Sequence, residues 1–236
     1  SEEPKIRNPK YRKLAGRLLT WASEQDKLKL NAFHYAKLMG HYSRNSGDSW
    51  KRAIAMHNHM VRKGVVGSQE TSVALLLAYT RGGNWPKVVE LYSQMEVCGH
   101  LQAEDTSSNA WHAHANLIHA HCQLRTPWEE VERMYTTLPK ANRGEDSKYL
   151  GQAYSSMIQL CGEERRWDTA SELHKTIHEK ALYLSHNNWR SVLHTFIQGR
   201  KYQEAVSVYE DMRQVGLQLR NVSSYTAVIR ACAEVG

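Results

Sequence analysis

Five segments of this chain share one spacing: a large residue at position 0, a small or branched one at 3, an aliphatic and a ring at 6 and 7, and an aliphatic at 10. The copies start at Trp50, Trp85, Trp128, Trp167 and Tyr202 and align without gaps. Position 3 is Ala53, Val88, Val131, Ala170 and Ala205; the ring is His57, Tyr92, Tyr135, His174 and Tyr209; position 10 is Met60, Met95, Leu138, Ile177 and Met212. A small or turn-forming residue follows at 14, as Gly64, Gly99, Asn142, Ala181 and Gly216. Offsets of 3, 6, 7 and 10 fall on one stripe of an α-helix, and a Gly or Asn just beyond the last turn ends it. Each segment is expected to be one helix.

A second helical pattern precedes each of these, a marker residue with an aliphatic pair three and four positions later: Tyr35, Ser72, His114, Tyr154, Trp189 and Tyr225. Successive markers are 37, 42, 40, 35 and 36 residues apart. The unit is a helix hairpin with an apolar face too large to bury by itself, so neighbours must cover it. The expected fold is all-α, an α-solenoid of stacked hairpins. Residues 1–30 form a basic segment and capping helix. Hairpins follow at 31–67, 68–106, 107–147, 148–185 and 186–220, with a partial one at 221–236.

In period and pattern the hairpins resemble the pentatricopeptide repeat family, whose unit runs about 35 residues. The resemblance covers 31–236 and is strongest in Tyr202–Gly216 (YQEAVSVYEDMRQVG) and Tyr225–Gly236 (YTAVIRACAEVG). The tetratricopeptide alternative wants a proline closing the second helix. The five prolines, Pro4, Pro9, Pro86, Pro127 and Pro139, do not stand there. The resemblance implies binding of single-stranded RNA, one base per repeat, selected by the residue after the first-helix marker. Those residues are Ala36, Val73, Ala115, Ser155, Arg190 and Thr226; a second selecting position falls near Ser68, Ala103, Ser185 and Asn221. Ala and Val offer no hydrogen bond to a base edge. Ser155, Arg190, Asn221 and Thr226 remain as base-contacting candidates, without a clean two-residue code. A one-residue slip in the third repeat would substitute Asn116.

The net charge of +7 is concentrated: residues 1–63 hold 14 Lys and Arg against five Asp and Glu, while 64–236 hold 17 against 19. The excess divides into Lys5, Arg7, Lys10, Arg12, Lys13 and Arg17, and then Lys51, Arg52, Arg62 and Lys63. A dense basic patch suits a polyanion, because neutralising phosphates releases counterions and supplies most sequence-independent affinity. These ten residues are the candidate RNA-phosphate contacts. A solvated face is the alternative for any one of them.

Asn8 and Pro9 mark a helix start, and a helix from about Lys10 to Ser23 would set Leu14, Leu18 and Trp21 on one face. The third hairpin is flanked by EDTSSN and PKANRGED, loops able to touch a partner. In the last helix, Tyr225, Val228, Ile229 and Cys232 lack a covering second helix. Cys98, Cys122, Cys161 and Cys232 are far apart, which suggests buried free thiols in a reducing compartment. Of thirteen histidines, only His174 and His178 have a metal-compatible i, i+4 spacing, and His174 fills the ring position, so both are expected to be structural. No metal, cofactor or small-molecule substrate is expected. The ribonuclease branch of the family has an aspartate cluster and a zinc site that are not visible in this sequence, so no enzymatic activity is expected. No apolar run nears the roughly 20 residues of a membrane span. The opening SEEPKIRNPK is neither a signal core nor an acid-free presequence, and a targeting peptide ahead of residue 1 stays open.

These features imply a non-catalytic scaffold of the degenerate organellar type, binding RNA through its basic first quarter together with proteins of a mitochondrial ribonucleoprotein such as the mitoribosome. The mitochondrial location is implied by the resemblance alone. Two alternatives stay open: a protein-binding solenoid without RNA, or a fragment of a sequence-specific RNA processing or stability factor.

Overall fold

A computed structural model describes residues 29–44, 47–102, 107–137, 147–219 and 222–235, with Arg17 and Trp21. The expected helix from Lys10 to Ser23 otherwise lies outside the described residues. Arg17 and Trp21 are helical, and Trp21 is exposed rather than buried on an apolar face.

The chain divides into two compact units, residues 1–102 and 103–236. The first contains α1 (Ala32–Arg44), α2 (Ser49–Arg62), α3 (Gln69–Arg81) and α4 (Trp85–Val97). The second contains α5 (Ser108–Gln123), α6 (Trp128–Thr136), α7 (Ser147–Glu163), α8 (Trp167–Glu179), α9 (His186–Gln198), α10 (Tyr202–Gln214) and α11 (Val222–Val235). Among the described residues there is no strand. The protein is an all-α helical-repeat solenoid, as the periodicity predicts.

Helix starts follow side-chain chemistry. Ser68, Ser107 and Ser185 each accept a hydrogen bond from the backbone N–H three residues on, capping α3, α5 and α9, and Asn84 does the same for α4 ahead of Pro86. Second helices end in left-handed residues at Gly64, Gly99, Ala181 and Gly216, the small position of each repeat.

The repeated stripe is the core. Ala53, Val88, Val131, Ala170 and Ala205 are all buried, as are Met60, Met95, Ile177 and Met212. In the first unit α1 packs on α2 and α3, and α3 on α2 and α4, around Met39, Ala53, Leu75 and Ala78. In the second, first helices α5, α7, α9 and α11 follow one another in a layer, with α8 against α7 and α10 against both α9 and α11. Their shared core runs from Trp111 through Tyr154, Ile177 and Phe196 to Ala231.

Successive hairpins touch through aromatic rings laid on backbone. A Cβ added at Gly82 would stand 2.8 Å from the Trp50 ring, and one at Gly199 would strike Trp167. Polar pairs tie helices both within and between hairpins. The Tyr35 hydroxyl meets His59 Nδ1 at 3.0 Å, the Ser43 hydroxyl donates to the Ala74 carbonyl, and His119 Nδ1 lies 2.6 Å from the Ser156 hydroxyl.

The cysteines divide differently from expectation. Cys122 and Cys161 are buried, and burial pushes both thiols up to about 12, which makes them poor nucleophiles. Cys98 and Cys232 are exposed: the former caps α4 beyond its apolar stripe, and the latter lies on the open face of α11. On that helix Ile229 is 67% exposed while Val228 and Ala231 are buried.

Two stability outcomes follow. Gly151→Ala drives a methyl into the Tyr183 carbonyl and should cost about 1–3 kcal/mol, whereas Gly40→Ala, within α1 and with open space around it, should gain about 0.5–1 kcal/mol. Thermal melts followed by circular dichroism check the pair, and equal melting temperatures would disprove the assigned contacts. The second concerns acid. Burial lowers the His119 imidazole to about 4, and His57, His121 and His174 are lowered for the same leading reason. An unfolded histidine takes up its proton near 6.5, so this contribution is complete above 6.5 and is lost as pH falls toward 4. Between about pH 7 and pH 5 the His119 share is about 2 kcal/mol. His119→Gln should flatten the acid limb of a stability-against-pH curve by that amount.

Candidate nucleic-acid interface

Of the ten cations expected at phosphates, Lys5, Arg7, Lys10, Arg12 and Lys13 lie outside the described residues, and Arg17 is exposed. The other four are exposed along and just past α2. At about 100° per residue, Lys51, Arg52, Arg62 and Lys63 fall within an arc of about 120°. The buried Ala53 and Met60 occupy the opposite side. Lys51 Nζ pairs with Asp48 Oδ2 at 2.6 Å, and Arg62 Nε donates to the Asn58 carbonyl at 3.4 Å. An exposed ion pair of this kind contributes under about 1 kcal/mol, so a phosphate can displace Asp48.

The positions expected to face bases behave unevenly. Ala36, Val73, Ala115 and Ser155 are buried, while Arg190 and Thr226 are exposed. Ser155 is 4% exposed and its hydroxyl donates to the Gln152 carbonyl at 2.9 Å. The expectation that Ser155 offers a free hydroxyl to a base therefore fails in this conformation, because α7 is enclosed between α5 and α9. Asn116, the alternative under a one-residue slip, is also buried and donates to the His112 carbonyl at 2.7 Å. Thr226 donates to Val222 from an exposed site, and Asn221 lies outside the described residues.

The second unit has a wide groove of about 1150 Å³ along its first-helix layer. Gln123 of α5, Gln159 of α7, Arg190 of α9 and Ser224 of α11 line it, joined by Arg165 and Arg200 from the hairpin turns. Its wall is rich in amide and guanidinium donors, which suit base edges and phosphate oxygens. Sequence reasoning singled out Arg190 and passed over Arg165 and Arg200. Their signal was positional: each stands eleven residues after its first-helix marker, where Gly83 stands in the second repeat.

The paired histidines have another task. Asp211 of α10 takes His174 Nε2 at 3.0 Å and lies 3.6 Å from His178 Nδ1, joining α8 to α10. In the large histidine cluster, His119 bonds Ser156 and His121 lies 3.0 Å from the Thr126 hydroxyl. Among the described residues no group of three His, Cys, Asp or Glu side chains is arranged to hold a metal ion, and no helix is long and apolar enough to cross a membrane.

Comparison with known proteins places these hairpins. The family model of the PPR repeat matches residues 70–100, 152–181 and 188–217. Among solved structures, the pentatricopeptide repeat protein PPR10 in complex with an 18-nt psaJ RNA element is similar at a TM-score of 0.56 and 12% identity, over 84% of this chain and 27% of that one. The structure of PPR10 from maize matches with a TM-score of 0.49 and 18% identity, over 94% of this chain and 30% of that one. The PPR domain of Arabidopsis thaliana protein-only RNase P 1 in complex with tRNA has a TM-score of 0.41 and 10% identity, over 95% and 96%. The chain thus spans under a third of the length of PPR10. No curated protein matches it in sequence. Three segments of the chain thus match the pentatricopeptide repeat, and the fold is that of the PPR10 structure solved with RNA.

Proposed function

We propose that the chain is a non-catalytic RNA-binding scaffold that holds RNA by its phosphates, chiefly through the basic first quarter. The observation that carries this is the contrast between two sets of residues. Four of the six base-selecting positions are buried, three of them apolar, while the cations of α2 share one exposed face. An array of this kind grips a polyanion without discriminating strongly among bases. The structure of PPR10 that this fold resembles was solved with an RNA element present, which supports RNA as the partner. A ribonucleoprotein of the mitochondrion, the mitoribosome in particular, suits a repeat protein that keeps positive charge and lacks a base code. Other proteins of that particle are the second class of partner.

Reversing Lys51, Arg52, Arg62 and Lys63 to Glu should weaken binding to every RNA by a similar factor and leave sequence preference unchanged. The slope of log affinity against log salt should flatten by about 0.7 for each phosphate of a single strand that is no longer neutralised. Ser155→Ala and Thr226→Ala should each cost less than the roughly 1–3 kcal/mol of a base-reading interaction. Fluorescence anisotropy with several labelled RNAs measures all of these. If the two alanines abolish binding to one preferred RNA while the charge reversals do nothing, the chain is a sequence reader. If no RNA binds, it is a protein scaffold.

A further inference from the structure

Five of the six first-helix markers carry a ring, namely Tyr35, His114, Tyr154, Trp189 and Tyr225, whereas the second repeat has Ser72. The fourth and fifth repeats show what the ring does. Tyr154 is fully buried and stands edge-on to Tyr135, with ring centres 5.5 Å apart. Trp189, also buried, stands edge-on to His174 at 6.5 Å. Tyr135 and His174 both hold position 7 of the preceding second helix. The marker ring therefore closes the gap between one hairpin's second helix and the first helix of the next. In the second repeat His57 holds position 7 of α2, but the marker supplies only a hydroxyl.

The missing ring leaves a cleft of about 220 Å³, lined by His57 of α2, Ser72 and Leu75 of α3, and Leu91 and Met95 of α4. Leu75 and Met95 are buried and give it an apolar floor. A cavity of about 150 Å³ with such walls holds benzene, so a single phenol ring has room here. Apolar walls without a neighbour forfeit dispersion contacts, so folding by itself favours a ring at the marker. The polar groups correspond as well. In the fourth repeat the Tyr154 hydroxyl meets the Tyr135 hydroxyl and, at 3.2 Å, Lys180 Nζ. His57 and Cys98 hold the corresponding positions, 7 and 13 of their second helices, and both line the cleft. Burial lowers the His57 imidazole, which leaves it neutral at pH 7 with a nitrogen able to accept from a phenol. Val61 follows one turn after His57 on α2, and Val97 one turn after Gln94, which lines the cleft on α4. Both valines are exposed, Val97 by 87%. Aliphatic surface beside a ring-sized cleft suits a ring carried on a polypeptide better than a free one.

We propose that the cleft between α2 and α4 receives the side chain of a tyrosine from a partner protein, seated where the fourth repeat places Tyr154. The tyrosine hydroxyl donates to His57, and aliphatic residues on either side of it cover Val61 and Val97. This goes beyond the RNA reading and stands whether or not the chain binds RNA. The competing explanation is local repair, in which His100, whose Nδ1 lies 3.1 Å from the Ser72 hydroxyl, supplies all the filling the site needs.

The test uses the full chain and p-cresol, which is the tyrosine side chain alone, with titration calorimetry and NMR as readouts. Wild type should bind p-cresol with a Kd of about 1 mM or lower, and about fivefold more tightly than toluene, which lacks the hydroxyl. H57L should abolish that preference. S72Y, which fills the cleft from within, should raise the melting temperature by about 2–4 °C and weaken p-cresol binding at least about tenfold. The peptide acetyl-Leu-Tyr-Leu-amide should bind about tenfold more tightly than p-cresol, and V97D should remove that gain without changing p-cresol affinity. Should S72Y fail to fold, NOEs from p-cresol to the methyl groups of Leu75, Leu91 and Met95 in wild type locate the ring. The proposal is overturned in favour of local repair if wild type binds no p-cresol. It is equally overturned if S72Y binds as well as wild type or the NOEs lie elsewhere. Binding of p-cresol with no gain for the peptide makes the ligand a free phenol and removes the partner protein. A wild-type dimer that both S72Y and Y183A dissociate also removes it, since the ring is then the exposed Tyr183 of a second copy.

Discussion

Close approach between helices is the constraint on which this fold depends. A hairpin of two 13-residue helices cannot enclose its own apolar stripe, so each must lie against a neighbour. The small or branched residue three positions into each second helix, alanine in three copies and valine in two, lets the helices approach, and all five copies are buried. Aromatic rings complete the stack by resting on bare backbone, Trp50 over Gly82 and Trp167 over Gly199. Dispersion and burial do the stabilising, but the geometry is fixed by where side chains are absent.

Such a scaffold leaves its surfaces free for charge. The first unit concentrates cations on the outer side of α2 while its hairpin turns use glycine. The second unit is close to neutral in sequence, and three of its arginines, Arg165, Arg190 and Arg200, line a groove. Net charge by segment therefore conceals a local arrangement. Phosphate binding responds to where guanidinium groups stand and what competes for them, and Arg166, tied to Glu129 and Glu164, shows how one cation is neutralised beside another that is not.

Most of the fold was legible in the chain, because a repeated 3.6-residue stripe has one efficient way to be buried. The helix starts at Ala32 and Trp85 follow directly from the pattern and from Asn84 and Pro86. The site was legible only in part. The cations of α2 and Arg190 could be named from charge and position. The burial of Ser155 could not, since its marker position looks the same whether or not neighbouring helices close over it. The histidines were assigned a packing role, but the partner, Asp211, lies 37 residues from His174 in the chain. Two cysteines expected to be buried proved exposed because one caps a helix and the other faces outward on α11.

The sequence by itself determined the helix pattern, the repeating hairpin unit and the uneven distribution of charge, since all three are properties of spacing and composition along one line. Only the tertiary structure decided which polar side chains remain available. Availability depends on contacts between residues 30 to 40 positions apart, such as Arg166 with Glu129 and His119 with Ser156. It also decided that Arg125, Arg165 and Arg200 occupy left-handed turns, because a backbone dihedral is set by the packing of the two helices it joins.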